Sequence, residues 1–377
     1  MSEDNLAAIM SNVYEAMDII SREPIGMVGS VTVSASSQRV ALNQNIAVDI
    51  EPEIVGVSVV PAMTPPEPAD LTPEVENIVI TKAEAFPFKI TGDSQKIYDT
   101  SSGWISARTN RILQAMRTAS NAVEADLAAL HTQFGRAYGT PGTTPFSSTT
   151  ADSAQLGKIL TDNGAPANER KLVIDTTAGV NLRSLASLTK ANEAGTTDTL
   201  RLGSLLDLNG FRISESGKIN TSVAGTGASY QTTAAFAVGD TSITLDTGTG
   251  TILAGDCIQF AGDSNIYVVH TALTAGTVII AKNGLRESLS DNTAVTVIAA
   301  AARNMAFNRS AIVLAARPIS MPDDGDAATE VEMIVDPVSG LPFEIAHYKG
   351  YRMNRWELNL AWGAKVIKRE HTALLLG

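Results

Sequence analysis

From residue 104 to residue 138 the chain contains no proline, and Ile105, Ile112, Met116, Val123, Leu127, Leu130 and Phe134 recur at spacings of three, four and seven. Residues so spaced share one face of an α-helix. The pattern therefore predicts a single helix across the stretch, stopped by Gly139 and Pro141. Such a helix would be roughly 45–50 Å long, longer than most globular helices, and the rest of the chain has to be laid out along it. Arg108, Arg111 and Arg117 are expected on its polar side.

What precedes the helix has little capacity to bury itself. Leu6, Ile9, Met10, Val13, Met17 and Ile20 fall on one helical face, ended by Pro24 and Gly26. This is an apolar arm, too short to be a domain and in need of a partner. Residues 28–95 read as mostly extended, with strands at 31–33, 46–50, 78–82 and 86–90. Prolines at 61, 65, 66, 68 and 73 exclude helix interior and central sheet between the middle two strands. A long hairpin broken by a proline-rich loop is expected.

Beyond the helix the pattern becomes α/β. A short helix is expected over 155–160, a strand over 171–175, and a helix capped by Thr176 or Thr177 and running through Leu188. Asn209-Gly210 is a turn leading into a strand over 211–214. Residues 222–301 become rich in Gly, Thr, Ser and Asp. Five short strands are expected there, at 242–245, 257–260, 266–269, 277–280 and 294–297, a spacing that suits a small inserted barrel or sandwich. Longer strands follow at 311–316, 331–335 and 343–348. In the last, from Trp356, apolar Trp356, Leu358, Leu360, Trp362, Ala364 and Val366 alternate with polar neighbours. The fold class expected is α+β.

Composition narrows the function. The net charge is −12 and the pI about 4.9, the reverse of the cationic surplus that non-specific DNA binding needs. One cysteine excludes an intrachain disulfide and a cysteine-built zinc site. The start lacks a basic n-region, and no stretch approaches ~20 apolar residues, so neither a signal peptide nor a membrane span is expected.

No catalytic constellation emerges. Gly157-Lys158 and Gly217-Lys218 lack the leading glycine and trailing hydroxyl of a phosphate loop. Glu344-x-x-His347 falls in a predicted strand and reads as ordinary strand residues rather than half of a metal motif. Asp323-Asp324-Gly325-Asp326 is an incomplete calcium pattern and reads as an acidic turn. Cys257 reads as inert core. No enzyme and no cofactor are expected. An arm, a coreless hairpin and a long helix bury poorly alone and well in a lattice, which points to an assembly subunit.

Three stretches resemble the P22-type coat protein family of tailed bacteriophages. They are Met305 to Pro318, the pattern Val238-Gly239-Asp240 through Tyr267-Val268-Val269, and Trp362 to Glu370. With the order of elements, the resemblance covers nearly the whole chain. It implies the HK97-like major capsid protein fold: an N-terminal arm at 1–27, an E-loop with flanking strands at 28–95, and a P-domain with its spine helix at 96–150. An A-domain at 151–221, an inserted small all-β domain at 222–303 and returning strands at 304–377 complete it.

The resemblance further implies hexamers and pentamers of an icosahedral head around double-stranded DNA, held without sequence-specific binding, and assembly in the bacterial cytoplasm with no membrane involved. Its implied partners are a separate scaffolding protein, a portal protein and decoration proteins. Candidate assembly contacts are Leu6, Ile9, Val13 and Met17 of the arm, Pro65, Pro66, Lys82 and Glu84 of the E-loop, and Arg108, Arg111 and Arg117 of the helix. Lys82 lies where some relatives form a covalent cross-link, but nothing in the sequence identifies the asparagine and carboxylate it would require. The insertion, about 80 residues, is short for the family. A tail, decoration or surface-layer subunit is the alternative, and the long arginine-bearing helix argues against it.

Overall fold

The computed structural model describes residues 23–50, 54, 56, 59, 61, 73–101, 104–185, 207–280, 284–336 and 339–377. The expected arm helix and the proline-rich loop, with Leu6, Ile9, Val13, Met17, Pro65 and Pro66, lie outside the described residues.

The longest strand, Met353–Val366, organises the first sheet. It is β19 in chain order. One edge pairs with β4 (Lys82–Thr91) from Met353↔Thr91 to Trp362↔Lys82. The other pairs first with β18 (Pro342–Gly350) and then with β16 (Ile312–Arg317). Two further strands flank these: β17 (Glu330–Val335), antiparallel to β18, and β1 (Thr32–Ala35), parallel to β16. The alternation anticipated from Trp356 onward puts Leu358, Leu360, Trp362 and Val366 into the main core with the long helix. Asn359, Ala361 and Gly363 are covered from the other side as well, so the middle of β19 is buried on both faces rather than on one.

Two helices stand where one was expected. Thr91 Oγ1 accepts from the Ser94 amide at 3.2 Å, and this cap starts α1 (Gly92–Ser101) inside a stretch read as extended. The long helix, α2, spans Trp104–Ala129, about 39 Å at 1.5 Å per residue. Ile112, Met116, Val123 and Leu127 are fully buried. The helix ends before Phe134: a tight turn over Leu130–Gln133 leads to extended backbone at Phe134 and to β5 (Arg136–Tyr138). Periodicity could not expose this end, because Leu130 and Phe134 stay in phase with the helical stripe. Phe134 is buried even so, edge-on to Phe307 at 6.3 Å.

The predicted hairpin is present as β2 (Asn45–Ile50) and β3 (Glu74–Val79), paired from Asn45↔Val79 to Ile50↔Glu74 as a sheet of two strands. The strand expected over 78–82 is in fact a crossing point. Ile80 N donates to Gln44 O of the ribbon, and Thr81 N donates to Trp362 O of the first sheet. Ile78 and Ile80 seat the ribbon's base against Val40, Val313, Ala315 and Ala361. The approach is so close that a Cβ on Gly363 would collide with the Val79 carbonyl.

A second sheet places β5 beside β20 (Thr372–Leu376), then β15 (Arg303–Asn308), β6 (Arg170–Ile174), β8 (Phe211–Glu215) and β7 (Asp207–Leu208). Every residue of β15 and β20 is buried. Met305 to Pro318 is thus two strands in two sheets. Asn308 makes the corner between them: its Oδ1 accepts from Ser310 N at 3.1 Å and its Nδ2 donates to Asn168 O at 2.8 Å.

Helices α3 (Ala151–Asp162) and α4 (Thr176–Ser184) contribute Leu156, Leu160 and Leu182 to this sheet's core. The cap of α4 is Asp175, which accepts from Thr177 N and Ala178 N at 3.0 and 3.3 Å, rather than either threonine. The helix stops at Ser184, four residues before the expected Leu188. The Asn209-Gly210 turn forms with both φ positive.

Between β8 and β15 the chain builds β9 (Tyr230–Thr232), β10 (Ser242–Asp246), β11 (Cys257–Phe260), β12 (Ile266–Thr274), β13 (Thr277–Ile280) and β14 (Ala294–Val297). All five expected strands form. The sixth, β9, has a single large apolar residue and gave no signal. Antiparallel pairing runs β11–β14–β9–β10–β13–β12 and returns to β11, so this is a closed barrel and not a sandwich. Ile243, Ile258, Phe260, Tyr267, Val269, Val278 and Ile280 fill it. Ile266 and Tyr267 also pair with Ala137 and Arg136 of β5, which joins the barrel to the second sheet.

Candidate assembly surfaces and the strap across the long helix

Among the described residues, no three His, Cys, Asp or Glu side chains gather where they would hold a metal ion. Glu344 and His347 are three apart in β18, so they point to opposite faces. Glu344 pairs with Arg39 at 2.5 Å, and His347 stacks on Trp356 at 4.9 Å. Asp326 accepts from the Tyr348 hydroxyl at 2.7 Å; burial and this bond push the tyrosine up to about 12. Cys257 is fully buried, and burial pushes its thiol up to about 11. A cleft of ≈440 Å³ beside the 138–149 loop has one ionisable carboxylate, Asp152, which accepts from Phe146 N at 2.8 Å. It offers no acid–base pair.

The candidate contacts on β4 and α2 are used within the subunit. Lys82 Nζ meets Asp126 Oδ1 at 2.8 Å and lies 5.8 Å over the Trp362 ring. Asp126 Oδ2 accepts from Trp362 Nε1 at 2.8 Å. One carboxylate of α2 therefore fastens the start of β4 and the middle of β19. Glu84 is half-buried, in register with Leu360.

The three arginines do not share a polar side. Arg108 is 1% exposed and lies 5.9 Å from the Trp356 ring centre. Trp356 is itself held between Phe88 and His347 in a cross-strand row. A guanidinium stacks on an aromatic face and stays favourable where an ammonium would not, so this arginine is placed inward. Arg111 Nη1 donates to Lys89 O at 2.9 Å. Arg117 makes a two-pronged pair with Glu23 at 2.9 and 2.8 Å.

That last pair belongs to a strap the sequence reading missed. Residues 23–28 are tied to α2 along their length. Glu23 also accepts from Asn121 Nδ2 at 2.7 Å. Glu124, fully buried on α2, accepts from the amides of Gly26 and Met27 at 2.8 Å each with Oε1, and from Val28 at 3.0 Å with Oε2. Arg117 and Asn121 hold the Glu23 carboxyl far below its ordinary range, whereas burial pushes Glu124 up against its hydrogen bonds. The available signal was spacing. Met116, Ser120 and Glu124 are four apart and all buried, so a charged residue continues a buried ridge and has to be satisfied there.

Among the described residues, two apolar rows have no covering layer. The ribbon exposes Val75 (51%) and Val79 (39%). On β17, at the edge of the first sheet, Val331, Met333 and Val335 alternate outward at 36, 43 and 52% exposure. Among the described residues no helix is long and apolar enough to cross a membrane.

No protein-family model and no curated protein sequence matches the chain. Among solved structures it is similar to one from Mycobacterium phage Che8, with 16% identity over 87% of this chain and 84% of that one and a TM-score of 0.44. It is also similar to the capsid of cyanophage P-SCSP1u, with 11% identity over 95% and 89% and a TM-score of 0.49. A third is the mature capsid of bacteriophage PhiM1, with 9% identity over 92% and 85% and a TM-score of 0.47.

Proposed function

We propose that the chain is a structural subunit that builds a closed protein shell. More particularly, it is a major capsid protein of a tailed bacteriophage with the HK97-like fold. The observation that carries this reading is the β2–β3 ribbon. Two strands with no covering layer are marginal in water, yet this ribbon, uncovered among the described residues, rises from a firmly packed base and presents apolar residues outward. It acts as an E-loop that is completed when it lies on a neighbouring copy.

The long helix and first sheet act as the P-domain, the second sheet as the A-domain, and the barrel as the inserted β-domain. The segment before Glu23 acts as the N-terminal arm, with Leu6, Ile9, Val13 and Met17 reaching a neighbour. Pro65, Pro66 and Glu84 belong to the same inter-subunit surface. Hexamers and pentamers then close the head around double-stranded DNA, with a separate scaffolding protein, a portal at one vertex and decoration proteins outside. Assembly takes place in the bacterial cytoplasm. Lys82, engaged with Asp126, serves the helix–sheet joint rather than a cross-link.

Sedimentation tests the reading. Co-produced with its scaffolding protein, the full chain is expected in a particle of hundreds of copies, each burying more than the ~1,600 Å² of a standard interface. Recovery only as monomers or small discrete oligomers would count against it.

A further inference from the structure

Among the described residues β4 pairs with β19 alone, so its other edge carries no strand. Pro87 stands in the middle of that edge and has no N–H to offer a further strand. Between this edge and α2 lies a groove of ≈480 Å³, lined by Phe86, Phe88, Arg111, Gln114, Ala115 and Thr118. Phe86, Phe88 and Ala115 are its floor. They pack against the main core from above and are only half-buried. Arg111 crosses to the Lys89 carbonyl at 2.9 Å, which sets two cations on the rim. Such a groove suits apolar side chains rather than an added strand.

The chain itself has a candidate occupant within reach. Glu23 is fastened to Arg117 and Asn121, and the residues after it to Glu124. The strap therefore runs along α2 toward its C-terminal end, and the chain before Glu23 points back toward the level of Gln114 and Arg111. Gln114 neighbours both Arg117 and Thr118 on the helix surface, at spacings of three and four, so the groove adjoins the Glu23 anchor. The five residues before that anchor are Asp18-Ile19-Ile20-Ser21-Arg22. Ile20, three residues away, lies within about 10 Å of it. Two adjacent isoleucines match an aromatic floor, and Glu15 and Asp18 are opposite in charge to Lys89 and Arg111 on the rim.

We propose that Ile19 and Ile20 of the same chain dock in this groove, with Asp18 toward the Lys89 and Arg111 rim. Docking covers the apolar floor that β4 and α2 leave open. It also fixes the direction in which the preceding residues leave the subunit, along the free edge of β4, where the Glu23 anchor alone would fix only their starting point. The contact lies within one chain, so this inference does not depend on the shell-building reading.

Disulfide trapping in the full chain tests it, since the one native cysteine, Cys257, is fully buried. Ile20→Cys combined with Gln114→Cys, or with Thr118→Cys, should close an intrachain disulfide under mild oxidation, read as a mobility shift on a non-reducing gel. Closure should be at least about tenfold faster than for Ile20→Cys with Val180→Cys, an exposed position on α4. Adding Ile19→Asp keeps the Glu23 anchor but removes an apolar contact, and should slow trapping about tenfold. Trapping at neither groove position faster than in the control would overturn the proposal. So would trapping that Ile19→Asp leaves unchanged, since the anchor alone would then account for it. A mixture of chains each carrying one cysteine should give no cross-linked dimer; dimers would assign the groove to another copy's segment and overturn the proposal as well.

Discussion

Glu124 has both carboxylate oxygens committed to the chain that crosses α2, and its surroundings are dry. Replacing it by Ala strands three amides, those of Gly26, Met27 and Val28. Each buried unpaired donor costs about 1–3 kcal/mol, so Glu124→Ala should lower stability by at least about 3 kcal/mol. Glu124→Gln keeps one acceptor oxygen and should cost less, about 1–3 kcal/mol. Urea denaturation followed by the fluorescence of buried Trp356 and Trp362 measures both. A neutral Glu124→Ala would show that the strap holds nothing.

Glu23 adds a pH dependence of definite sign. Its folded pKa lies below the ordinary value of 4.5, so its contribution is present above that value and is lost as pH falls toward the folded one. Wild type should be more stable than Glu23→Gln near neutrality, and the difference should narrow progressively as pH falls below about 4. Glu124 runs the other way: its raised folded pKa favours the protonated form, so its contribution is largest below 4.5 and declines as pH rises through the folded value. Neither carboxylate was visible as a functional residue in the sequence. The partners of Glu124 are backbone amides nearly a hundred residues away, and backbone amides carry no sequence signature.

At the scale of elements, legibility followed period and punctuation. The alternation around Trp356–Trp362 and the spacing of Ile112, Met116, Val123 and Leu127 were clear because each repeats over many residues. The end of α2 was missed because Leu130 and Phe134 keep the helical phase after the α-helix has ended at Ala129. The strand over 78–82 was read as one because its side chains alternate smoothly, while its hydrogen bonds change partner between Ile80 and Thr81. Arg108 was placed on a polar face since sequence shows its charge and not the Trp356 ring beneath it.

The ribbon can be tested as an element. Ala47 and Asn77 face each other in register, so residues 48–76 can be replaced by an Asn-Gly turn. The shortened chain should melt within a few degrees of wild type but form no closed particles. The outward row on β17 makes a second test. Val331→Ser, Met333→Ser and Val335→Ser together should change subunit stability little, since exposed substitutions usually stay within about 0.5 kcal/mol each, and they should reduce the yield of particles. Normal particle yields would remove this edge from the proposed contacts.

For the molecule as a whole, the layers have one arrangement in common: firmly packed bases that carry poorly covered extensions. Two sheets share the long helix and the β15–β16 corner, and the barrel closes on its own core while borrowing an edge of β5. The α+β class and the five barrel strands were legible from local pattern. Barrel closure was not, because it depends on β9, whose three residues have almost no apolar signal. The proposed shell-building role is legible only as a deficit, chain that cannot bury itself, together with the resemblance to coat proteins.

Electron microscopy of the full chain co-produced with the proposed scaffolding protein tests that claim most directly. Closed shells of uniform size are predicted, resolving into hexamers and pentamers with the β2–β3 ribbon laid across a neighbouring subunit. Discrete small oligomers, or shells in which the ribbon contacts no neighbour, would contradict it.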